Sequence, residues 1–170
     1  MSEFSHKPMR GVQFDLVDLP PEGVDLEGSV PPEELGLEEE ERLRYVSPVE
    51  YHLRLEAING GSDLLARGKV SVMVEALCDR CDEPFSWHLT TEEVCHEVEN
   101  AFGTTVNLSD GLREDILLTF PQRFLCREEC QGLCPRCGAN LNQGPCGCPG
   151  EGSPEDEDPW AALDGVVPRE

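Results

Sequence analysis

The chain has 170 residues and a formal net charge of −22 at pH 7, from 35 Asp and Glu against 13 Lys and Arg. A field of that sign repels phosphate, which excludes general charge-driven attraction to nucleic acid and favours basic partners. No stretch approaches the length of a membrane span, and the first ten residues carry Lys7 and Arg10 without an apolar core, so a reduced, cytoplasmic chain is expected rather than a membrane or secreted one.

In chain order, Met9 to Leu16 reads as a short strand, followed by a Pro/Gly-rich connection through Pro20, Pro21 and Gly23. Pro31, Pro32 and the glutamates after them suggest a helical turn and then a loop. Glu33, Glu34, Glu38, Glu39, Glu40 and Glu41 form an acidic cluster that reads as a solvated surface. Residues 1–44 are therefore taken as an N-terminal strand with an acidic loop or helix, and regular order is expected to begin near Tyr45.

From Val49 to Ala57 apolar residues alternate with Glu50, His52, Arg54 and Glu56, the period of a half-buried strand. Asn59-Gly60-Gly61-Ser62 supplies a hairpin turn. The return strand puts Ala66, Gly68, Val70, Val72, Val74 and Ala76 on one face and runs into Cys78. Phe85, Trp87 and Leu89 alternate in a third antiparallel strand that Val94 and Val98 extend. The cover is a helix over Ser109 to Thr119, capped by Ser109 or Asp110, with Glu114 and Asp115 toward its positive end, Ile116, Leu117 and Phe120 as apolar surface, and Pro121 as its stop. The expected fold class is α+β: mainly an antiparallel β meander with one or two covering helices over residues 45–125, and a cysteine-rich, zinc-stapled C-terminal module.

That module, residues 126–148, is almost all Cys, Gly, Pro, Asn and short polar residues and cannot bury enough apolar surface to hold itself together. The tail, residues 149–170, is acidic through Glu151, Glu155, Asp156, Glu157 and Asp158. It reads as flexible, with one apolar island, Trp160-Ala161-Ala162-Leu163, that suits docking.

Eight of the nine cysteines form four close pairs, Cys78/Cys81, Cys126/Cys130, Cys134/Cys137 and Cys146/Cys148. Such spacing lets both sulfurs of one turn face a tetrahedral ion, and two turns complete an all-cysteine site. Cys134-Pro135-Arg136-Cys137-Gly138 with Cys146-Gly147-Cys148 is assigned to one Zn²⁺ ion, leaving Cys78, Cys81, Cys126 and Cys130 for a second. The alternative joins Cys78/Cys81 to Cys134/Cys137. Iron accepts the same donors. His88 and His96 are read as surface or core residues rather than ligands, and Cys95 as a small packed hydrophobe. Arg80, Arg123, Arg127 and Arg136 lie in or beside the cysteine motifs; they either form a basic patch for RNA or offset thiolate charge. With four cysteines per ion no position is left open for water, and no nucleophile elbow, phosphate loop or acid/base pair is present, so no enzyme and no small-molecule substrate are expected.

The runs Arg113-Glu114-Asp115-Ile116-Leu117-Leu118, Cys126-Arg127-Glu128-Glu129-Cys130-Gln131-Gly132-Leu133-Cys134-Pro135-Arg136-Cys137-Gly138-Ala139-Asn140-Leu141-Asn142, Cys146-Gly147-Cys148 and Cys78-Asp79-Arg80-Cys81-Asp82-Glu83-Pro84-Phe85 closely resemble the bacterial YceD family. The resemblance implies a cytoplasmic, non-enzymatic role in synthesis, processing or stability of large-subunit (23S) ribosomal RNA. The implied partner is precursor large-subunit ribosomal RNA, met directly through the four arginines or through a basic ribosomal protein or assembly factor held by the acidic surface. Asp158-Pro159-Trp160-Ala161-Ala162-Leu163 keeps the apolar part of the family's tail but lacks its lysine. A thiol-based redox or zinc-sensing protein using Cys78/Cys81 or Cys95 is the competing class.

Overall fold

The structure, a computed structural model, describes residues 11–148. Its strands are β1 (Gln13–Leu16), β2 (Val24–Val30), β3 (Leu43–Tyr45), β4 (Val49–Ile58), β5 (Asp63–Leu77), β6 (Pro84–Val98) and β7 (Thr104–Asn107), and its one α-helix among the described residues is α1 (Ser109–Thr119). The class is α+β, with every strand pairing antiparallel.

The centre is β5. The alternation of its sequence puts Leu64, Ala66, Val70, Val72, Val74 and Ala76 on one buried face. It pairs along its full length with β6, while its other edge is shared by β4 and β3. Pro48 cannot donate to a ladder, and the chain breaks register there; the Met73 N–H donates instead to the Ser47 hydroxyl at 3.0 Å. Gly68 sits where β4 approaches so closely that a Cβ would lie 2.0 Å from the His52 carbonyl oxygen. Beside it the β5–β6 register slips by one residue, a bulge that bends the sheet.

Helix α1 crosses the buried face, seating Leu112 and Ile116, both 0 % exposed, an i, i+4 pair on one side of the helix. Two details differ from the sequence expectation. Asn107 rather than Ser109 or Asp110 supplies the local capping contact, its side-chain oxygen accepting from the Ser109 N–H at 2.9 Å, because the Ser109 hydroxyl is used to accept from the Val12 N–H at 2.9 Å. Leu117 is 41 % exposed rather than packed, since it lies off the Leu112–Ile116 stripe, and of the helix acids only Asp110 falls in the first turn.

Order also begins well before Tyr45. β2 forms the outer strand of the main sheet against β4, and β1 pairs with β7 in a second, two-stranded sheet. Val12, Phe14, Leu16 and Leu19, with Leu35 and Leu37 from the 3₁₀ turn Pro32–Leu35 and the residues after it, complete one core with the sheet and helix. The tail features read from the sequence lie outside the described residues.

Candidate metal centres

The β5–β6 hairpin closes through a knuckle. The Cys78 N–H donates to the Glu83 carbonyl at 3.0 Å and the Asp82 N–H returns to the Cys78 carbonyl at 2.9 Å, with Asp82 at φ 59°. This turn points Cys78 and Cys81 to one side of the sheet's end. Two devices bring the chain after α1 back over it. Phe120 and Phe124 pack with Trp87 of β6 at ring-centroid separations of 5.7 to 6.3 Å. Asp79 then clamps Phe124: its N–H donates to the Phe124 carbonyl and its carboxylate accepts from the Phe124 N–H, each at 2.7 Å. Cys126 and Cys130 follow directly, so a gap of 45 residues from Cys81 to Cys126 is closed.

The structure brings Cys78, Cys81, Cys126 and Cys130 together, with all four sulfurs within 4.8 Å of one another. Cys78 and Cys130 are 3.7 Å apart and Cys81 and Cys126 are 3.8 Å apart. A tetrahedral ion with metal–sulfur bonds of about 2.3 Å sets a sulfur–sulfur edge of about 3.8 Å, so the donor set fits such an ion as it stands. This first centre is interior: Cys78, Cys81 and Cys130 are at most 4 % exposed.

Cys134, Cys137, Cys146 and Cys148 form the second group, again within 4.8 Å, with Cys134 and Cys146 at 3.4 Å. Its turn is closed by the Cys134 N–H donating to the Ala139 carbonyl and the Gly138 N–H to the Cys134 carbonyl, at 2.8 and 2.9 Å. Gly138 has φ 72°, a conformation glycine adopts without strain. This centre lies nearer the surface, with Cys137 exposed. The other partition, Cys78/Cys81 with Cys134/Cys137, is not what the fold assembles.

Backbone donors prepare both groups for anionic sulfur. Burial opposes ionisation of Cys78, yet N–H groups of Cys126, Arg80 and Cys81 aimed at its sulfur hold the thiol at about 6. The N–H groups of Cys137 and Arg136, with the Cys146 thiol, bring Cys134 to about 6. Within each group the remaining load falls elsewhere: Cys81, by burial, and Cys148, by hydrogen bonding to Cys137, are pushed up to about 12. A divalent ion held there would supply the positive charge that makes four thiolates compatible in one place.

Asn142, to which the sequence motifs alone assign no role, joins the two centres. It lies between the second centre's pairs, yet its amide N–H donates to Cys130 Sγ of the first at 3.3 Å, and its oxygen accepts from the Gln131 N–H at 2.9 Å and Arg127 at 2.7 Å. Asn140 holds Asn142 in turn, accepting from its main-chain N–H at 3.0 Å and its side chain at 2.8 Å. The Asn-Leu-Asn spacing, in a segment with no apolar reason for order, is the signal that points to this role.

Of the four arginines, Arg80 donates to the carbonyls of Glu128 and Cys130 at 3.3 and 2.9 Å, and Arg127 to Asn142. Both thereby hold the metal loops. Arg123 and Arg136 have exposed side chains. His96 pairs with Asp115 at 2.7 Å and His88 is exposed; neither joins a sulfur group. Cys95 is exposed, not packed as expected, because it points away from the core on the strand face opposite Val94.

Fold and site define an antiparallel β protein whose sheet ends in one all-cysteine centre and continues into another, each able to hold a metal ion. Residues 93–166 match the family model described as "Large ribosomal RNA subunit accumulation protein YceD", in agreement with the resemblance that the motifs carry. Relatives include an uncharacterized protein of Mycobacterium leprae, 29 % identical over 140 residues, covering 71 % of this chain and 59 % of that protein. Uncharacterized proteins of Mycobacterium tuberculosis and Mycobacterium bovis are each 29 % identical over 110 residues, covering 55 % of this chain and 51 % of theirs. The chain thus spans little more than half the length of these relatives. No solved structure matches.

Proposed function

We propose that this chain is a cytoplasmic, non-enzymatic factor that supports accumulation of large-subunit ribosomal RNA, with two structural zinc ions holding its C-terminal module against the sheet. The observation that carries the ribosomal part is the YceD match, which runs through α1 and six of the eight paired cysteines. For zinc, the support is the donor set: four sulfurs per group with edges of 3.4 to 3.8 Å leave no vacant coordination position. The mechanism is escort through protein. The net charge of −22 opposes broad RNA contact, and Arg80 and Arg127 are occupied by the metal loops.

Deletion of the coding sequence in the native host, with the ratio of large- to small-subunit ribosomal RNA measured during growth, tests this. A fall in the ratio, restored by the intact chain but not by Cys78→Ser, is expected. An unchanged ratio refutes the ribosomal role, and purified protein containing iron or no metal refutes zinc.

A further inference from the structure

The end of the main sheet opposite the β4–β5 turn carries a groove that contains no cysteine and is bounded on the side of the first centre by Asp79 and Phe124, which clamp that centre's loop. It runs between α1, β3 and the segment after the 3₁₀ turn, and has a hollow of about 530 Å³ that shares Gly36, Leu37, Glu38 and Tyr45 with a neighbouring one of about 460 Å³. Its apolar surface comes largely from Leu43, Tyr45, Leu117 and Phe120, of which Leu117 is 41 % exposed. Glu38 and Glu40 line it, and Glu33 and Glu39 line the neighbouring hollow. Two arginines reach the groove, but each is already paired: Arg42 with Asp82 at 2.9 Å, and Arg113 with the Gly36 carbonyl at 3.1 Å. The half-buried Tyr45 phenol is pushed up by burial and then by the Glu40 carboxylate, so the acidic field reaches the apolar floor.

We infer that this groove is a docking site for a basic protein segment in which Lys or Arg residues flank one or two large apolar side chains. The apolar anchors fill the Leu43–Tyr45–Leu117–Phe120 floor, and the cations meet Glu38, Glu40 and the neighbouring carboxylates. An acidic rim around an apolar centre selects against both a purely apolar and a purely cationic ligand. The inference deepens the protein-escort reading above, on which it rests, by naming the surface and the chemistry of the partner.

The test uses the full, metal-loaded chain and three fluorescein-labelled 12-residue peptides: lysine interspersed with leucine and phenylalanine, lysine interspersed with serine at equal charge, and the chain's own acidic segment Glu155 to Val166. The first should bind about tenfold tighter than the second, and Glu38→Lys with Glu40→Lys should weaken it about tenfold. Leu117→Ser, at an exposed position that leaves the core intact, should weaken the first peptide but not the second. Glu92→Lys with Glu93→Lys, an equal charge change on the distant β6 bulge, should alter binding less than twofold. Equal loss from both charge reversals overturns the site in favour of a diffuse field. Tighter binding of the acidic peptide assigns the groove to the chain's own tail, and tighter binding of a single-stranded RNA 20-mer lost in the groove variants assigns it to RNA; either overturns the inference. Failed peptide binding alongside a ribosomal RNA ratio that still depends on the chain sinks the groove alone. Peptide binding with an unchanged ratio sinks the ribosomal role alone.

Discussion

Asn142→Ala isolates the link between the two centres. The change removes an amide that donates to the Cys130 sulfur at 3.3 Å and accepts from Gln131 and Arg127 at 2.9 and 2.7 Å. A hydrogen bond to a charged acceptor contributes about 1.5 kcal/mol at the low end suited to a half-buried site, and the two exposed contacts together add about 0.5 kcal/mol. The sum, about 2 kcal/mol, is about a 30-fold loss of affinity at the first centre, within the range of about 10- to 100-fold found when outer partners of metal ligands are removed. Competition with a chromogenic chelator reads this directly. Because Asn142 lies between Cys137 and Cys146, disabling the second centre with Cys137→Ser and Cys146→Ser should also weaken the first. The two perturbations should be strongly non-additive, since both act by releasing the same amide. First-centre affinity within twofold of the parent, or additive losses, would refute a connection through this side chain.

Gly68→Ala should destabilise the fold by about 2–3 kcal/mol in urea unfolding, because the new methyl meets the β4 backbone rather than a movable side chain. Asp63→Asn tests a pH effect: the Asn100 N–H, and next the Asn59 amide, hold the Asp63 carboxyl below its ordinary 3.8. A depressed carboxylate contributes stability above its unfolded value and loses it as pH falls through the folded one, so the mutant should be less stable at pH 7, the difference closing below about pH 3.8. A difference that is constant with pH contradicts that origin. Stripping metal with a strong chelator should abolish amide-exchange protection across residues 126–148 while leaving β4, β5 and β6 protected. Loss of protection throughout the chain would show that the sheet needs the metal too.

The strands that could be read directly were those whose alternation is complete. β4 buries every second residue from Val49 to Leu55, with Ala57 left exposed, β5 does so from Leu64 to Ala76 apart from Gly68, and α1 runs from Ser109 to Thr119 as expected although Asn107 rather than Ser109 or Asp110 makes its capping contact. β2 was hidden because Val24-Asp25-Leu26-Glu27-Gly28-Ser29-Val30 carries glycine, serine and two acids in an outer strand that needs only a few apolar anchors. β1 is legible as the short strand that ends at Leu16, but its partner β7 is only four residues long and lies about 90 positions away. No local period can express such a pairing, which the packing of Phe14 and Val106 into a shared core decides. Cys95 shows the same limit, since alternation places it opposite Val94 but does not say which face water reaches.

The metal sites follow a different rule, because short cysteine spacings report local turns while the joining of those turns is tertiary. Cys78/Cys81 meets Cys126/Cys130 through Trp87, Phe120, Phe124 and Asp79, none of them a ligand. The knuckle closes the β5–β6 hairpin, so whatever occupies the first centre ties the sheet to a segment with almost no apolar content of its own. The second centre is then built on the first: the Leu133 N–H donates to the Arg80 carbonyl at 3.0 Å, and Gly132, at φ 74°, lies where a Cβ would meet the same oxygen at 3.0 Å. That order of dependence makes Arg80 a hinge of the assembly. Its carbonyl receives the second module while its guanidinium grips the carbonyls of Glu128 and Cys130 in the first. An arginine that sequence reasoning offers to RNA is thereby accounted for by the chain's own thiolate loops, and the acidic groove beside β3 is the surface proposed for an outside partner.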